Sequence, residues 1–173
     1  MLKKLIFKFI PASLLKTYRG FNKDEHITAK FSFINDDKSV FSDSMKNRSM
    51  VRKDIENKYK HKSDLLDIYT SNKGFMVHKW HHYIPIYDHY FSHFRGKKVK
   101  FLEIGVGKGG SLQMWRKYFG DDAIIYGIDI NPECKKFNTE KQQVRIGSQI
   151  DETFLNSVIE EMGGVDVILD DGG

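Results

Sequence analysis

The sequence predicts an α/β protein: a Rossmann-like, doubly wound parallel sheet carrying a basic N-terminal extension. Three observations predict it. From about residue 97 onward, short apolar runs alternate with segments of helical period. A glycine cluster, Gly105-Val106-Gly107-Lys108-Gly109-Gly110, follows the first of those runs. The residues able to do chemistry all fall where the runs end, and a ligand sits at the carboxyl ends of the strands in such sheets.

Taken in order, Val99–Val106 reads as a buried strand and the glycine loop follows it. Ser111–Phe119 places Leu112, Trp115, Tyr118 and Phe119 on one helical face, and Gly120 stops the helix. Ala123–Ile130 is the second strand, with Asn131-Pro132 opening a turn or short helix, and Val144–Ser148 is a short third strand. Asp151–Met162 forms an amphipathic helix with Phe154, Leu155, Val158, Ile159 and Met162 inward. Val165–Leu169 is the fourth strand, ending in Asp170-Asp171-Gly172-Gly173. Strands that alternate with helices imply right-handed parallel crossovers.

The 173 residues suit one domain, and a composition 40% hydrophobic and 29% charged can bury a core. The single cysteine, Cys134, excludes a disulfide framework and a Cys-based zinc cluster, so a reducing cytoplasm is expected. The apolar stretch from Leu5 to Ile10 is interrupted by Lys8 and halted at Pro11, too short to span a bilayer. Residues 1–60 hold 14 Lys and Arg against 7 Asp and Glu, whereas residues 61–173 hold 14 against 16. The basic character belongs to the extension, which argues against a nucleic-acid-binding body. Residues 1–20 suit a short basic helix, either packed on the body or touching an anionic membrane surface weakly. Residues 21–60 read as a partly disordered linker with one helix near Met50–Tyr59, which leaves residues 61–173 as the ligand-binding domain.

The loop satisfies G-x-G-x-x-G, and Asp129 stands about 20 residues on, where an acid accepts hydrogen bonds from ribose hydroxyls. A nucleoside ligand follows. Glu103, two residues before Gly105, would repel a pyrophosphate. Its carboxylate suits the ammonium and sulfonium of S-adenosylmethionine, which favours that ligand over NAD.

The string from Glu103 to Gly110 resembles the first motif of class I S-adenosylmethionine-dependent methyltransferases, and Gly127-Ile128-Asp129 resembles the second. Further pieces are similar to the branch of sugar O-methyltransferases that modify glycosylated natural products such as macrolides. These are Ser71-Asn72-Lys73-Gly74, His82-Tyr83 with Tyr87 and Phe91, Gly147 to Asp151, and Asp170 to Gly173. The resemblance covers about residues 68–173. It implies that Glu103, Gly105 and Gly107 line the methionine end, that Gly109 also belongs to the cofactor site, that Asp129 binds the ribose, and that Ser148 and Gln149 lie near the adenine. Tyr83 would touch the cofactor as part of a lid. Asn72 and Ser148 depart from the pattern, each standing where relatives often carry an acid.

Asp170 and Asp171 can hold a hard cation such as Mg²⁺, which would bind sugar hydroxyls and lower the pKa of one. The alternative is that one carboxylate caps a helix and the other faces water. The resemblance favours the metal, with Asp171 the catalytic ligand and a general-base histidine just beyond. Among His78, His81, His82, His89 and His93, the last two have the spacing of a zinc pair, but the surrounding aromatic residues favour a packing helix begun near Pro85. The resemblance also implies that the chain is the N-terminal half of such a fold. Alone it would bind cofactor weakly without turnover, with Val165–Leu169 at an open sheet edge.

Overall fold

A computed structural model describes residues 5–6, 41–43 and 48–172. Along the chain run β1 (Leu5–Ile6), β2 (Phe41–Asp43), α1 (Arg48–Tyr59), α2 (Asp64–Thr70), β3 (His78–Trp80) and α3 (Tyr83–Phe91). There follow β4 (Lys100–Ile104), α4 (Gly110–Phe119), β5 (Ile124–Asp129), β6 (Gln143–Ile146), α5 (Glu152–Glu161) and β7 (Val167–Asp170). The main sheet has the order β1-β7-β4-β5-β6, and all its pairings are parallel. The predicted α/β parallel sheet is therefore present. Its strands β4, β5 and β7 are buried on both faces, which is why they read as continuous apolar runs rather than alternating ones.

One face of the sheet packs Leu102, Ile104, Tyr126, Ile128 and Ile168 against Leu155, Val158 and Met162 of α5 and its cap. The other face, with Phe101, Ile125, Val167 and Leu169, meets the larger aromatic cluster of α3 and α4. Trp115 is fully buried there, with ring centroids 5.1 Å from Phe101, 5.3 Å from Tyr87 and 5.5 Å from Phe91. Its indole N–H has no hydrogen-bond partner among the described residues. Trp115→Ala is therefore expected to cost about 3–5 kcal/mol in urea unfolding. Trp115→Phe, which removes that orphaned donor and keeps a ring, should cost clearly less, and equal losses would refute this packing account.

Helix ends follow from local chemistry. Asp151 caps α5 by accepting from the Phe154 N–H, and Ser63 caps α2 by accepting from the Leu66 N–H. Gly120, at φ +96°, closes α4. Two expectations need correction. Leu5 and Ile6 form a strand, not part of a helix, and they pair with Val167 and Ile168. The outer edge of β7 is therefore covered at those positions, because an unpaired row of backbone groups is satisfied by any extended segment within reach. The rest of residues 1–20 lies outside the described residues. The expected helix near Met50–Tyr59 is α1, and its Val51 and Ile55 are buried in the aromatic cluster.

The packing helix expected near Pro85 is α3, whereas the strand β3 and the helix α2 are too short to show a period. They build a cover over the sheet: β3 pairs antiparallel with β2, and the Tyr69 hydroxyl donates to the Lys79 carbonyl at 3.4 Å. No helix among the described residues is long and apolar enough to cross a membrane.

Candidate functional site

A cavity of about 630 Å³ opens at the carboxyl ends of β4, β5, β6 and β7, with β3 and the start of α3 as its far wall. Gly105, Gly107, Asp129, Ser148, Gln149, Tyr83 and Asp171 all line it. The topology explains this convergence. β4 is central, so its tip lies beside those of β5 and β7, with Ile104 opposite Ile128 on one side and Asp170 on the other.

The glycine loop is shaped by three positive φ angles: +90° at Gly105, +54° at Gly107 and +74° at Gly109. The glycines serve different ends. A Cβ on Gly105 would stand 2.8 Å from the backbone of Gly172, one on Gly109 would enter the Phe137 ring, and one on Gly107 would meet nothing. Only Gly107 owes its place to conformation and open space alone. Gly109 is a packing glycine and does not line the cavity.

Asp129 holds the loop as well as facing the cavity. Its Oδ2 accepts from the Val106 and Gly107 N–H groups, each at 2.9 Å, and its Oδ1 from the Asn131 N–H at 2.8 Å. Burial raises its pKa, but these donors outweigh burial and hold the carboxyl below the usual aspartate range. The remaining acceptor positions stay available to a ligand's hydroxyls. Ile130 and Ile150, 75% and 79% exposed, form apolar parts of the same wall, a feature that sequence pattern did not single out.

Glu103 does not face the cavity as expected. It is fully buried, accepting from the Ser111 hydroxyl at 2.6 Å and from the Lys79 ammonium at 3.0 Å. The ammonium it binds is the chain's own. Lys79 also pairs with Asp171 Oδ2, so one buried lysine joins β3, β4 and the end of β7. Burial lowers the Lys79 pKa, yet Glu103 and Asp171 together hold it above the ordinary lysine value. Burial pushes the Glu103 carboxyl up against the pull of Lys79. Tyr83 is raised by burial first and then by Asp171. Lys79 was missed in the sequence, although a signal existed: it is the only Lys, Arg, Asp or Glu between Lys73 and Asp88.

Asp170 accepts from the Gly172 N–H at 3.1 Å, and burial, then Asp171, raises its carboxyl. The Gln149 side-chain oxygen is buried without a partner and lies 3.2 Å from where a Gly172 Cβ would stand; Asp170 Oδ1 lies 3.5 Å from the same point. Two carboxylates and an orphaned amide oxygen are a donor set suited to a hard cation that keeps several waters. No cluster of three or more His, Cys, Asp or Glu is present among the described residues. The zinc alternative has no support: His93 lies in the turn after α3, and both His89 and His93 are exposed. His81 is buried against the carboxylate of Asp54.

No family model matches the chain. Residues over a 102-residue span are 39% identical to a tetracenomycin rhamnosyl 3'-O-methyltransferase of Streptomyces olivaceus, covering 54% of this chain and 25% of that protein. Demethylmacrocin O-methyltransferase of Streptomyces fradiae is 33% identical over 118 residues, covering 61% and 29%. The homologues of this chain are sugar O-methyltransferases. The methyltransferase MycE of mycinamycin biosynthesis, solved with Mg and S-adenosylhomocysteine, superimposes with a TM-score of 0.51 at 32% identity, covering 65% of this chain and 28% of MycE. The chain thus spans about a quarter of the length of the curated relatives it matches. The parallel α/β sheet expected from the sequence matches that of the MycE structure.

Proposed function

We propose that the chain supplies the S-adenosylmethionine-binding part of a cytoplasmic O-methyltransferase acting on a sugar hydroxyl of a small molecule. The observation that carries this reading is the cavity itself: the glycine loop, Asp129 and Asp171 share one opening across the sheet, with Asp170 adjoining it at the tip of β7. The homology supports the same chemistry, since the matched relatives methylate hydroxyls of sugar-bearing natural products. Gly105 and Gly107 let the cofactor approach the backbone, Asp129 accepts from its ribose, and Ser148 flanks its adenine between Ile130 and Ile150, while the Gln149 oxygen, expected near the adenine, faces the β7 end instead. Gly109 shapes the loop from behind. Tyr83 closes the wall beside Asp171.

Bound S-adenosylmethionine supplies a methyl group on a sulfonium, and Mg²⁺, when bound, polarises the acceptor hydroxyl. Asp170, Asp171 and Gln149 are the residues that would hold the ion. The chain's own contribution is positional. The loop and its Asp129 clasp fix one partner, and the β7 end fixes where the other must stand.

Titration calorimetry with S-adenosylhomocysteine tests this. Saturable binding is expected, weakened roughly tenfold or more in Asp129→Ala, which removes both the ribose acceptor and the loop clasp. Binding should also fall in acid. The Asp129 carboxyl is depressed in the folded chain, so its loop contacts are present above the ordinary aspartate value of 3.8 and are lost as pH drops through the lower folded value. Tight NADH binding without S-adenosylhomocysteine binding would overturn the proposal in favour of an oxidoreductase.

A further inference from the structure

Resting on that reading, we propose that Lys79 is the resident cation of the carboxylate site, and that a divalent metal ion competes with its ammonium for Asp171. The geometry is a short chain of charges leading from the core to the cavity. Ser111 and Lys79 hold the two oxygens of Glu103, which is wholly buried; the same ammonium reaches Asp171, whose side chain is 27% exposed at the cavity surface. A lysine at Asp171 occupies the electrostatic position a metal would take, and two cations cannot share that oxygen without strong repulsion.

Charge balance shows how the exchange can occur. Lys79, Glu103 and Asp171 together carry one negative charge. If the ammonium withdraws onto Glu103, that pair is neutral and remains hydrogen-bonded within the core. Asp170 and Asp171 are then left with two negative charges, matching a dication, and the unpartnered Gln149 oxygen adds a neutral donor. The lysine has the means to do this, since its ammonium offers three donors on a flexible four-carbon stem. In the absence of metal it neutralises Asp171; in its presence it neutralises Glu103.

The test is Mn²⁺ titration of the full chain, read by the electron paramagnetic resonance of free Mn²⁺. The double variant Lys79→Met/Glu103→Gln removes the competing ammonium with its alternative partner and leaves the net charge unaltered. A shift therefore reports competition rather than a changed field. It should bind Mn²⁺ about ten- to hundredfold tighter than the unaltered chain, the range set by losing one charged hydrogen bond. Asp171→Asn in that background should abolish the gain. An intact double variant, by circular dichroism, that binds Mn²⁺ no tighter overturns the proposal. Glu103→Gln alone keeps the proposal testable should the double variant not fold. It deprives the ammonium of its refuge, so Mn²⁺ binding should weaken, and unchanged affinity overturns the inference. S-adenosylhomocysteine binding, measured without metal on the same samples, separates the two claims. Its loss with the Mn²⁺ gain intact would sink the methyltransferase reading only, and the reverse pattern would sink the competition only.

Discussion

Gly105→Ala is expected to weaken S-adenosylhomocysteine binding about a hundredfold, the scale on which a displaced binding element costs function. Two independent effects produce it. The residue sits at φ +90°, outside the region an alanine readily adopts, and holding it there costs about 1–3 kcal/mol. The new Cβ would also lie 2.8 Å from the Gly172 nitrogen and 2.9 Å from the Asp171 carbonyl carbon. Those atoms are backbone and cannot rotate away. They are tied to the sheet, because the Asp171 N–H donates to the Ile104 carbonyl at 2.8 Å, while the Gly105 N–H donates to Ile128 at 2.9 Å. Either the glycine loop or the Asp171–Gly172 corner must move, and both line the cavity. Gly107→Ala is the comparison. Its φ is +54° and no atom lies within 4 Å of its Cβ, so it should lose only the about 1–2 kcal/mol of a left-handed alanine in urea unfolding, with no clash added, while still disturbing the ligand. Gly105→Ala binding S-adenosylhomocysteine like the unaltered chain would show that the cofactor does not depend on this corner.

The glycine positions also show what a sequence conveys and what it does not. The loop, Asp129 and the strand-end aspartates are legible because a βα turn brings together residues close in sequence, and the alternating pattern specifies which strand tips adjoin. The roles of individual members are less so. Gly105 and Gly109 look alike within the motif, yet one is required by the backbone at the end of β7 and the other by the Phe137 ring. Glu103 illustrates the same limit more sharply. Its place at the tip of β4 is readable, but its partner comes from a separate antiparallel strand of three residues, too short to show a period. An acid reserved in sequence for a ligand's ammonium thus meets Lys79, which lies 24 residues away.

Lys79→Met should have as large an effect on stability as any core truncation, a loss of about 3–5 kcal/mol in urea unfolding at neutral pH. The reason is not the strength of the ion pair but what remains without it: a carboxylate with 0% exposure whose only remaining hydrogen-bond donor among the described side chains is Ser111. Adding Glu103→Gln should restore most of the loss, because the orphaned charge is then gone and an amide can still meet Ser111. The pH dependence gives an independent check. Burial already holds Glu103 above the ordinary value of 4.5, and loss of the lysine raises it further. A carboxyl raised in the folded state binds its proton there more readily than in the unfolded chain. Its contribution is therefore fully present below 4.5 and lost as pH rises through the folded value. Lys79→Met should accordingly be closest to the unaltered chain in mild acid and fall away toward neutrality, whereas the double variant should lack that slope. A Lys79→Met deficit that is flat with pH and not relieved by Glu103→Gln would mean that the lysine stabilises the fold through its packed stem, and that Glu103 is held by something other than the ammonium.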